Sequence, residues 1–201
     1  MYKIGLISTH GTGKTALAGL VEGELKRRAI EALAIREIST RARERGLPIN
    51  EETTLMAQLW ILFSQFAEEL LYSQPRKTGH HYDVIICDRG PDNYCYLQHH
   101  CGDDNYALQL TLGHLQKFPY AKLYFLPAIE ENISMGGGTR SINIEFQRIM
   151  DLKIRYFLQK HNIAYTELPT PHTQDNFRDE WVRIIVNQTL YDLGAPKIMF
   201  M

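Results

Sequence analysis

The residues best suited to chemistry form a glycine-rich stretch near the start of the chain, residues 8–15. It matches the pattern GxxxxGK(S/T) at every fixed position except the first, where Ser8 replaces glycine. Gly11 and Gly13 allow the backbone to turn its N–H groups towards an anion, and Lys14 can reach the terminal phosphates of a nucleotide. The Thr15 hydroxyl can ligate Mg²⁺. The spacing predicts a binding site for ATP, or a closely related nucleotide, with Mg²⁺.

The sequence on either side of this stretch supports a phosphate-binding loop. The stretch follows the apolar run Tyr2–Ile7, which is typical of a strand, and it opens a helical pattern over residues 14–30. The positive end of that helix would face the phosphates. A plain glycine turn between a strand and a helix is the alternative, but it leaves the Gly-Lys-Thr sequence unexplained. The residues expected to bind the nucleotide are Ser8, Thr9, His10, Gly11, Thr12, Gly13, Lys14, Thr15 and Ala16.

A second candidate group follows the apolar run of residues 83–87, where Asp88 precedes Arg89. Ligands in open parallel sheets bind beyond the carboxyl ends of the strands, so Asp88 should face the same crevice as Lys14. Its carboxylate could bind Mg²⁺ or accept a proton from an attacking hydroxyl, or it could cap the helix that starts near Pro91. Arg89 can clamp a phosphate or a substrate oxygen. An arginine here, where motor ATPases carry a second acid, favours transfer to a bound acceptor.

A glycine run followed by arginine resembles a closing lid. Residues 136–138 are all glycine, and Arg140 comes two positions later. Closure of such a lid could bring Arg140 onto the transferring phosphate and exclude water. The alternative is an exposed loop with an ordinary surface arginine. We expect a lid over about residues 132–148, and the predicted catalytic residues are Lys14, Asp88, Arg89 and Arg140.

Several polar and aromatic side chains could bind the acceptor. Some lie at or just after the end of the second predicted strand, residues 33–38. Others lie on a long helical pattern over residues 51–72, and the rest follow the Asp-Arg pair. An amide could recognise a ring edge and an aromatic ring could stack on it, although each of these residues could also be structural. The predicted acceptor-binding residues are Glu37, Arg41, Gln58, Trp60, Asp92 and Tyr94.

Strand and helix patterns alternate along the whole chain. Further strands are predicted over residues 122–126 and 163–168, and further helices over residues 145–161 and 176–193. This alternation predicts an α/β fold with a parallel sheet covered by helices on both faces. The length of 201 residues suits one domain.

The composition indicates which cellular compartment and which kinds of binding partner to expect. The formal net charge of −1 gives no electrostatic reason to expect nucleic acid as a partner. No apolar run is long enough to predict a membrane span. The three cysteines, an odd number, favour a reducing compartment, so we expect a cytoplasmic protein in which oligomers remain possible.

The motifs together resemble a known group. The phosphate loop, Glu37, residues 47–54 and 57–62, and the segment from residue 87 to residue 96 are similar to AAA-type ATP-binding domains related to the ribosylnicotinamide kinase domain of the bacterial NAD-biosynthesis regulator. That resemblance implies a nucleoside- or nucleotide-kinase-like fold with strand order 2-3-1-4-5, ATP and Mg²⁺ as cofactors, and a lid arginine at Arg140. The chain departs from the pattern at Ser8, and at Gly136 and Gly137, where relatives often carry an acidic residue.

The function expected from the sequence is transfer of the γ-phosphoryl group of ATP·Mg to a small molecule. The acceptor would be a nucleoside, a nucleotide or a related ring-bearing metabolite. A nucleotide-dependent switch or NTPase that acts on a protein or lipid partner is the alternative, and a phosphohydrolase is a third.

Overall fold

A computed structural model describes residues 1–74, 81–128, 144–170 and 177–194. Five parallel strands form one sheet in the order β2-β3-β1-β4-β5. This order confirms the predicted α/β fold with the loop-bearing strand at its centre. The strands are β1 (Tyr2–Ile7), β2 (Ala32–Ile35), β3 (Val84–Asp88), β4 (Lys122–Phe125) and β5 (Thr166–Glu167).

Helices connect the strands, as parallel pairing requires. Two of them begin at polar caps, where the side chains of Thr54 and Asp104 accept hydrogen bonds from the backbone N–H groups of Ala57 and Ala107. None of the described helices is long and apolar enough to cross a membrane. The helices are α1 (Lys14–Lys26), α2 (Ile38–Glu44), α3 (Leu55–Ser73), α4 (Asp92–Cys101), α5 (Asn105–Lys117), α6 (Ile144–Lys160) and α7 (Phe177–Asp192), with a 3₁₀ turn at Asn50–Glu52.

Two apolar layers hold the sheet between helices. On one face, Ile4 and Leu6 of β1 pack with residues of α1 and α7. On the other face, Ile7 and Phe125 pack with residues of α3, α4, α5 and α6. The strands β1 and β3 are buried almost throughout, which explains why both consist mainly of apolar residues.

The pairing of β1 with β3 places the two predicted chemical groups side by side. Leu6 lies opposite Asp88 in the register, so the loop after β1 and the carboxyl end of β3 meet at the same edge of the sheet. The second strand ends at Ile35, earlier than predicted, because Ile38 already begins α2. Glu37 therefore lies in the short connection between β2 and α2, at that same edge.

The predicted lid lies mostly outside the described residues, and Arg140 is among those that the structure does not describe. The last part of the predicted lid, residues 144–148, belongs to the first turns of α6.

Candidate active site

The loop after β1 has the backbone conformation that its glycines suggested. Gly11 and Gly13 have φ angles of 74° and 85°, which glycine adopts far more readily than other residues. α1 begins at Lys14, directly after Gly13. The first turn of the helix therefore presents its free N–H groups beside the glycines, as an anion-binding loop requires.

Lys14 lies across this loop. Its ammonium group donates to the carbonyl oxygens of Ser8 and Thr9, at 3.2 and 2.7 Å, and to Ser8 Oγ at 2.8 Å. Ser8 Oγ also lies 2.5 Å from Thr12 Oγ1. Ser8, which replaces the first glycine of the motif, therefore contacts both Lys14 and the middle of the loop. Burial lowers the pKa of Lys14 to about 8, with Arg89 adding to the effect. The lysine is thus placed within the loop, where an anionic ligand would favour its charged form.

The Asp88 carboxylate is buried at this edge of the sheet with its hydrogen-bonding capacity unused by the part of the chain that the structure describes. It is 1% exposed, and neither carboxylate oxygen has a hydrogen-bond partner among the described residues. Burial raises the pKa of Asp88, while Lys14 and the Thr15 hydroxyl counteract part of that effect. Two buried, unpaired carboxylate oxygens near a threonine hydroxyl and a phosphate loop are the hard oxygen donors that Mg²⁺ prefers. Asp88 and Thr15 therefore fit a magnesium ion that is also bound by nucleotide phosphates.

Arg89 is held by two carboxylates. Its Nε and Nη2 atoms donate to Glu37 Oε1 at 3.0 and 2.9 Å, and its Nη1 atom donates to Asp92 Oδ2 at 3.3 Å. The guanidinium also lies 4.3 Å from the centre of the Tyr96 ring. Burial alone would raise the pKa of Glu37, but Arg89 and Lys14 hold it at about 2. Glu37 is therefore an ionised carboxylate fixed beside the phosphate loop.

The backbone of Arg89 is unusual for a residue with a side chain. Its φ angle is 122°, a conformation that costs a non-glycine residue roughly 1–3 kcal/mol. The neighbouring Asp92 supports this turn, because its Oδ1 atom accepts a hydrogen bond from the Gly90 N–H at 2.7 Å. Asp92 is fully buried and accepts hydrogen bonds from both Arg89 and Gly90, so it holds Arg89 in place.

A narrow polar cleft runs between the phosphate loop and α3, with about 60 Å³ of free space. His10 and Tyr96 close one side of it, joined by a 2.6 Å contact between His10 Nδ1 and the Tyr96 hydroxyl. The predicted residues Glu37 and Gln58 line the cleft. The other lining residues are Ser39, Ile49, Asn50, Ile61, Arg89, Asn93 and His100.

Four predicted acceptor residues are not among those that line this cleft: Arg41, Trp60, Asp92 and Tyr94. Arg41 pairs with Glu68, Trp60 packs on the cluster around Ile38, and Tyr94 is buried in the core. The reason is helical spacing. Gln58 and Ile61 of α3 share the face that lines the cleft, and Trp60 lies on another face.

In α4, the same helical spacing brings two other residues to the cleft and turns Tyr94 away from it. Asn93 and Tyr96, three positions apart, line the cleft, while Tyr94 between them packs on Phe157 with ring centres 5.4 Å apart. A hydrophobic pattern on α4, read at 3.6 residues per turn, could have separated these faces.

The phosphate loop also contacts the start of α6. Gln147 Nε2 donates to the carbonyl oxygen of His10 at 3.1 Å, and the ring of Phe146 meets the His10 ring edge to face at 5.2 Å. The start of α6, which overlaps the end of the predicted lid, is thus in direct contact with the phosphate loop.

Solved structures share this fold at low sequence identity. NadR in complex with NR aligns over 100% of this chain with a TM-score of 0.75 and 12% identity, and NadR in complex with NAD and AMP-PNP aligns over 100% with a TM-score of 0.67 and 11% identity. The chain spans about half the length of these NadR chains, 54% and 51%. Deoxyadenosine kinase from M. mycoides, with the products dCMP and a flexible dCDP bound, aligns over 92% of this chain and 97% of its own, with a TM-score of 0.60 and 13% identity.

Sequence comparisons give the family. No curated protein sequence matches the chain. The family model of the AAA domain matches residues 3–175, most of the 201 residues. This confirms the resemblance drawn from the motifs. The chain therefore belongs to the AAA domain family, and its fold is that of the P-loop kinases.

Proposed function

We propose that this protein transfers the γ-phosphoryl group of ATP to a hydroxyl group of a small molecule. Residues 8–16 bind the triphosphate, and Lys14 neutralises its charge. Asp88 and Thr15 hold Mg²⁺, which supplies charge neutralisation at the phosphates when it is bound. The acceptor lies in the cleft lined by Glu37 and Tyr96.

The position of Asp88 carries this proposal. Its carboxylate is buried without a hydrogen-bond partner among the described residues, and Lys14, Thr15, Arg89 and Glu37 all lie near enough to influence its pKa. A buried charge without partners costs stability, and proteins retain such groups mainly where a ligand uses them. Asp88 is therefore suited both to metal binding and to orienting an acceptor hydroxyl.

The charges around the cleft favour an acceptor without a phosphate group. Arg89 is the one cation among the described residues that line the cleft, leaving the histidines aside, and both Glu37 and Asp92 already pair with it. A nucleotide acceptor would need a cation free to bind its phosphate. We therefore favour a nucleoside or a similar ring-bearing metabolite, with Gln58 and Asn93 as hydrogen-bonding partners. The solved structures of NadR with NR and of deoxyadenosine kinase are consistent with this class.

The cleft must widen to admit such a molecule. Its volume of about 60 Å³ is far below the roughly 300–1,000 Å³ that is typical of small-molecule sites. Asn50 in the 3₁₀ turn and His100 at the end of α4 line its rim and belong to short or terminal segments. We propose that the acceptor displaces these side chains, and that Arg140 approaches the transferring phosphate as part of a lid.

A screen of acceptors tests the proposal. Purified protein is mixed with AMP-PNP and Mg²⁺, and nucleosides and other hydroxyl-bearing metabolites are added singly while the melting temperature is followed. A specific acceptor should raise the melting temperature further than AMP-PNP alone, and should become phosphorylated when ATP replaces the analogue. Sustained ATP hydrolysis at kinase-like rates, of about 1–100 s⁻¹ without any acceptor, would contradict a kinase.

A nucleotide-dependent switch is the second candidate, and the contact between the phosphate loop and α6 favours it. A shift of His10 on nucleotide binding would act directly on Gln147 and Phe146. Such a protein would hydrolyse ATP slowly in the screen above, and no small acceptor would change its melting temperature.

The three cysteines are free, in keeping with the cytoplasmic location that we propose for either function.

A further inference from the structure

Arg178, in the first turn of α7, lies against the phosphate loop although the two are far apart in sequence. A methyl group built on Gly13 would lie 3.3 Å from Arg178 Nε and 3.4 Å from Arg178 Nη2. The guanidinium therefore faces the glycine that immediately precedes Lys14, at the start of α1.

The Arg178 guanidinium makes no ion pair or hydrogen bond within the part of the chain that the structure describes, and its Nε atom is buried without an acceptor there. The neighbouring side chains of Asp179 and Glu180 are exposed. A buried donor without an acceptor costs about 1–3 kcal/mol, and more for a charged group. Such an arginine is typical of a site whose acceptor is a ligand.

Buried aromatic side chains hold the first turn of α7 in place, and this packing fixes the position of Arg178. Phe177 and Trp181 are buried in the core and meet edge to face at 4.9 Å. Trp181 Nε1 also donates to the carbonyl oxygen of Pro169 at 2.9 Å. Because these two side chains fix the first turn, the arginine between them is held beside Gly13, with its guanidinium 4.9 Å from the centre of the Phe177 ring.

We propose that Arg178 binds an oxygen of a phosphate that stays on the donor nucleotide. This inference rests on the proposed function, since it requires ATP on the phosphate loop. The transferred phosphoryl group must face the acceptor cleft, which is lined by His10 and Arg89. Neither Gly13 nor Arg178 lines that cleft. Arg178 therefore binds the phosphates that lie at the other end of the loop. A phosphate oxygen would satisfy its buried Nε atom.

The test compares nucleotide affinity in Arg178→Gln and in wild-type protein, by titration calorimetry with Mg²⁺. Loss of a charge-assisted hydrogen bond should weaken ATP and ADP alike, by about ten- to a hundredfold. At saturating ATP, kcat should stay close to the wild-type value, because the contact is equally strong in the ground state and in the transition state. Arg178→Lys should recover part of the affinity. Arg183→Gln, an exposed arginine on the same helix, is the matched control and should bind like wild type.

The outcomes separate this inference from the proposed function. Wild-type protein that binds neither nucleotide would refute the function itself. Wild-type binding with unchanged affinities in Arg178→Gln would overturn the role of Arg178 alone, and a loss confined to ATP would overturn its assignment to the retained phosphates. Without nucleotide, Arg178→Gln should melt no lower than wild type. A lower melting temperature with normal affinity would make the residue structural.

Discussion

Asp88 and Arg89 occupy positions that cost the folded chain free energy. Asp88 buries a carboxylate for which the described part of the chain supplies no hydrogen bond, and Arg89 adopts a positive φ angle. Two adjacent residues under such constraints are more typical of a ligand site than of a structural turn. The ion pairs of Arg89 with Glu37 and Asp92 offset part of this cost.

Replacement of Lys14 by alanine removes the ammonium group that lies across the phosphate loop. We expect kcat/KM for ATP to fall by about 10²–10³, the usual effect of removing one group that stabilises transition-state charge. A coupled assay of ADP formation measures this change. Lys26→Ala is the control, because Lys26 lies at the other end of α1 in an exposed pair with Glu22. Equal activity in both variants would remove Lys14 from the site.

Replacement of Asp88 by asparagine should separate function from stability. The amide keeps the size of the side chain but removes the buried charge, so the melting temperature without nucleotide should be equal to or above that of wild type. Phosphoryl transfer should fall at least about a hundredfold while ATP still binds. Loss of stability together with normal transfer would assign Asp88 a purely structural role.

At the scale of elements, the phosphate loop and α1 illustrate two different uses of glycine. Gly11 has a positive φ angle, and a methyl group there would lie 3.0 Å from Gln147 Nε2. Gly23 sits within α1 with nothing near its methyl position. The first glycine is required by the loop conformation, whereas the second only weakens a helix.

These two glycines should respond oppositely to alanine. Gly23→Ala should stabilise the protein by about 0.5–1 kcal/mol, since alanine favours helix. Gly11→Ala should destabilise it by about 1–2 kcal/mol, because alanine resists the left-handed conformation. It should also weaken ATP binding. Urea unfolding without nucleotide measures both stability changes, and shifts in the same direction would contradict this interpretation of the loop.

The sequence predicts some secondary-structure elements more accurately than others. The strands β1 and β3 were found because burial on both faces leaves continuous apolar runs. The sequence pattern does not reveal α2, and its first residue, Ile38, falls at the end of the predicted second strand. Ile38 suits either element, and packing against Ala42 and Ile61 decides the matter. The cleft face of α4 is not visible in the sequence, because Asn93 and Tyr96 line the cleft only when α4 packs against α3 and α6.

At the scale of the whole molecule, a buried polar cluster joins the sheet to two helices. Glu69 of α3 accepts hydrogen bonds from Lys3 of β1 at 2.7 Å and from Tyr120 at 2.5 Å, and His114 of α5 lies 3.0 Å from it. Gln65, also bonded to Glu69, reaches the carbonyl oxygen of Arg89 at 3.5 Å. The cluster therefore supports the turn that carries the candidate site.

Removal of Glu69 should be strongly destabilising. Glu69→Ala leaves Lys3 buried without its partner, and we expect a loss of about 3–5 kcal/mol in the free energy of unfolding. Glu22→Ala, which breaks an exposed pair with Lys26, should change it by less than about 1 kcal/mol. Denaturant unfolding at neutral pH measures both, and similar values would show that the buried cluster contributes no more than a surface pair.

The same carboxylate sets a pH dependence of stability. His114, Lys3 and Tyr120 lower the pKa of Glu69 despite its burial, which alone would raise it. A carboxyl group with a lowered folded pKa stabilises the protein fully above its unfolded pKa of about 4.3. This contribution is lost as the pH falls towards the lower folded value. The unfolding free energy should therefore decrease more steeply in acid for wild type than for Glu69→Gln, and equal slopes would exclude this contribution.

The sequence by itself determined the phosphate loop and the alternation of strands and helices. Both are encoded in neighbouring residues, because glycine spacing and hydrophobic period act within a few positions. Only the tertiary structure decided that Tyr96 rather than Tyr94 lines the cleft, and that Arg178 lies against Gly13. Those contacts join residues that are distant along the chain, and they depend on which helix face packs against the sheet. Local patterns constrain that choice only weakly, since the buried face of a helix is selected by its neighbours in space.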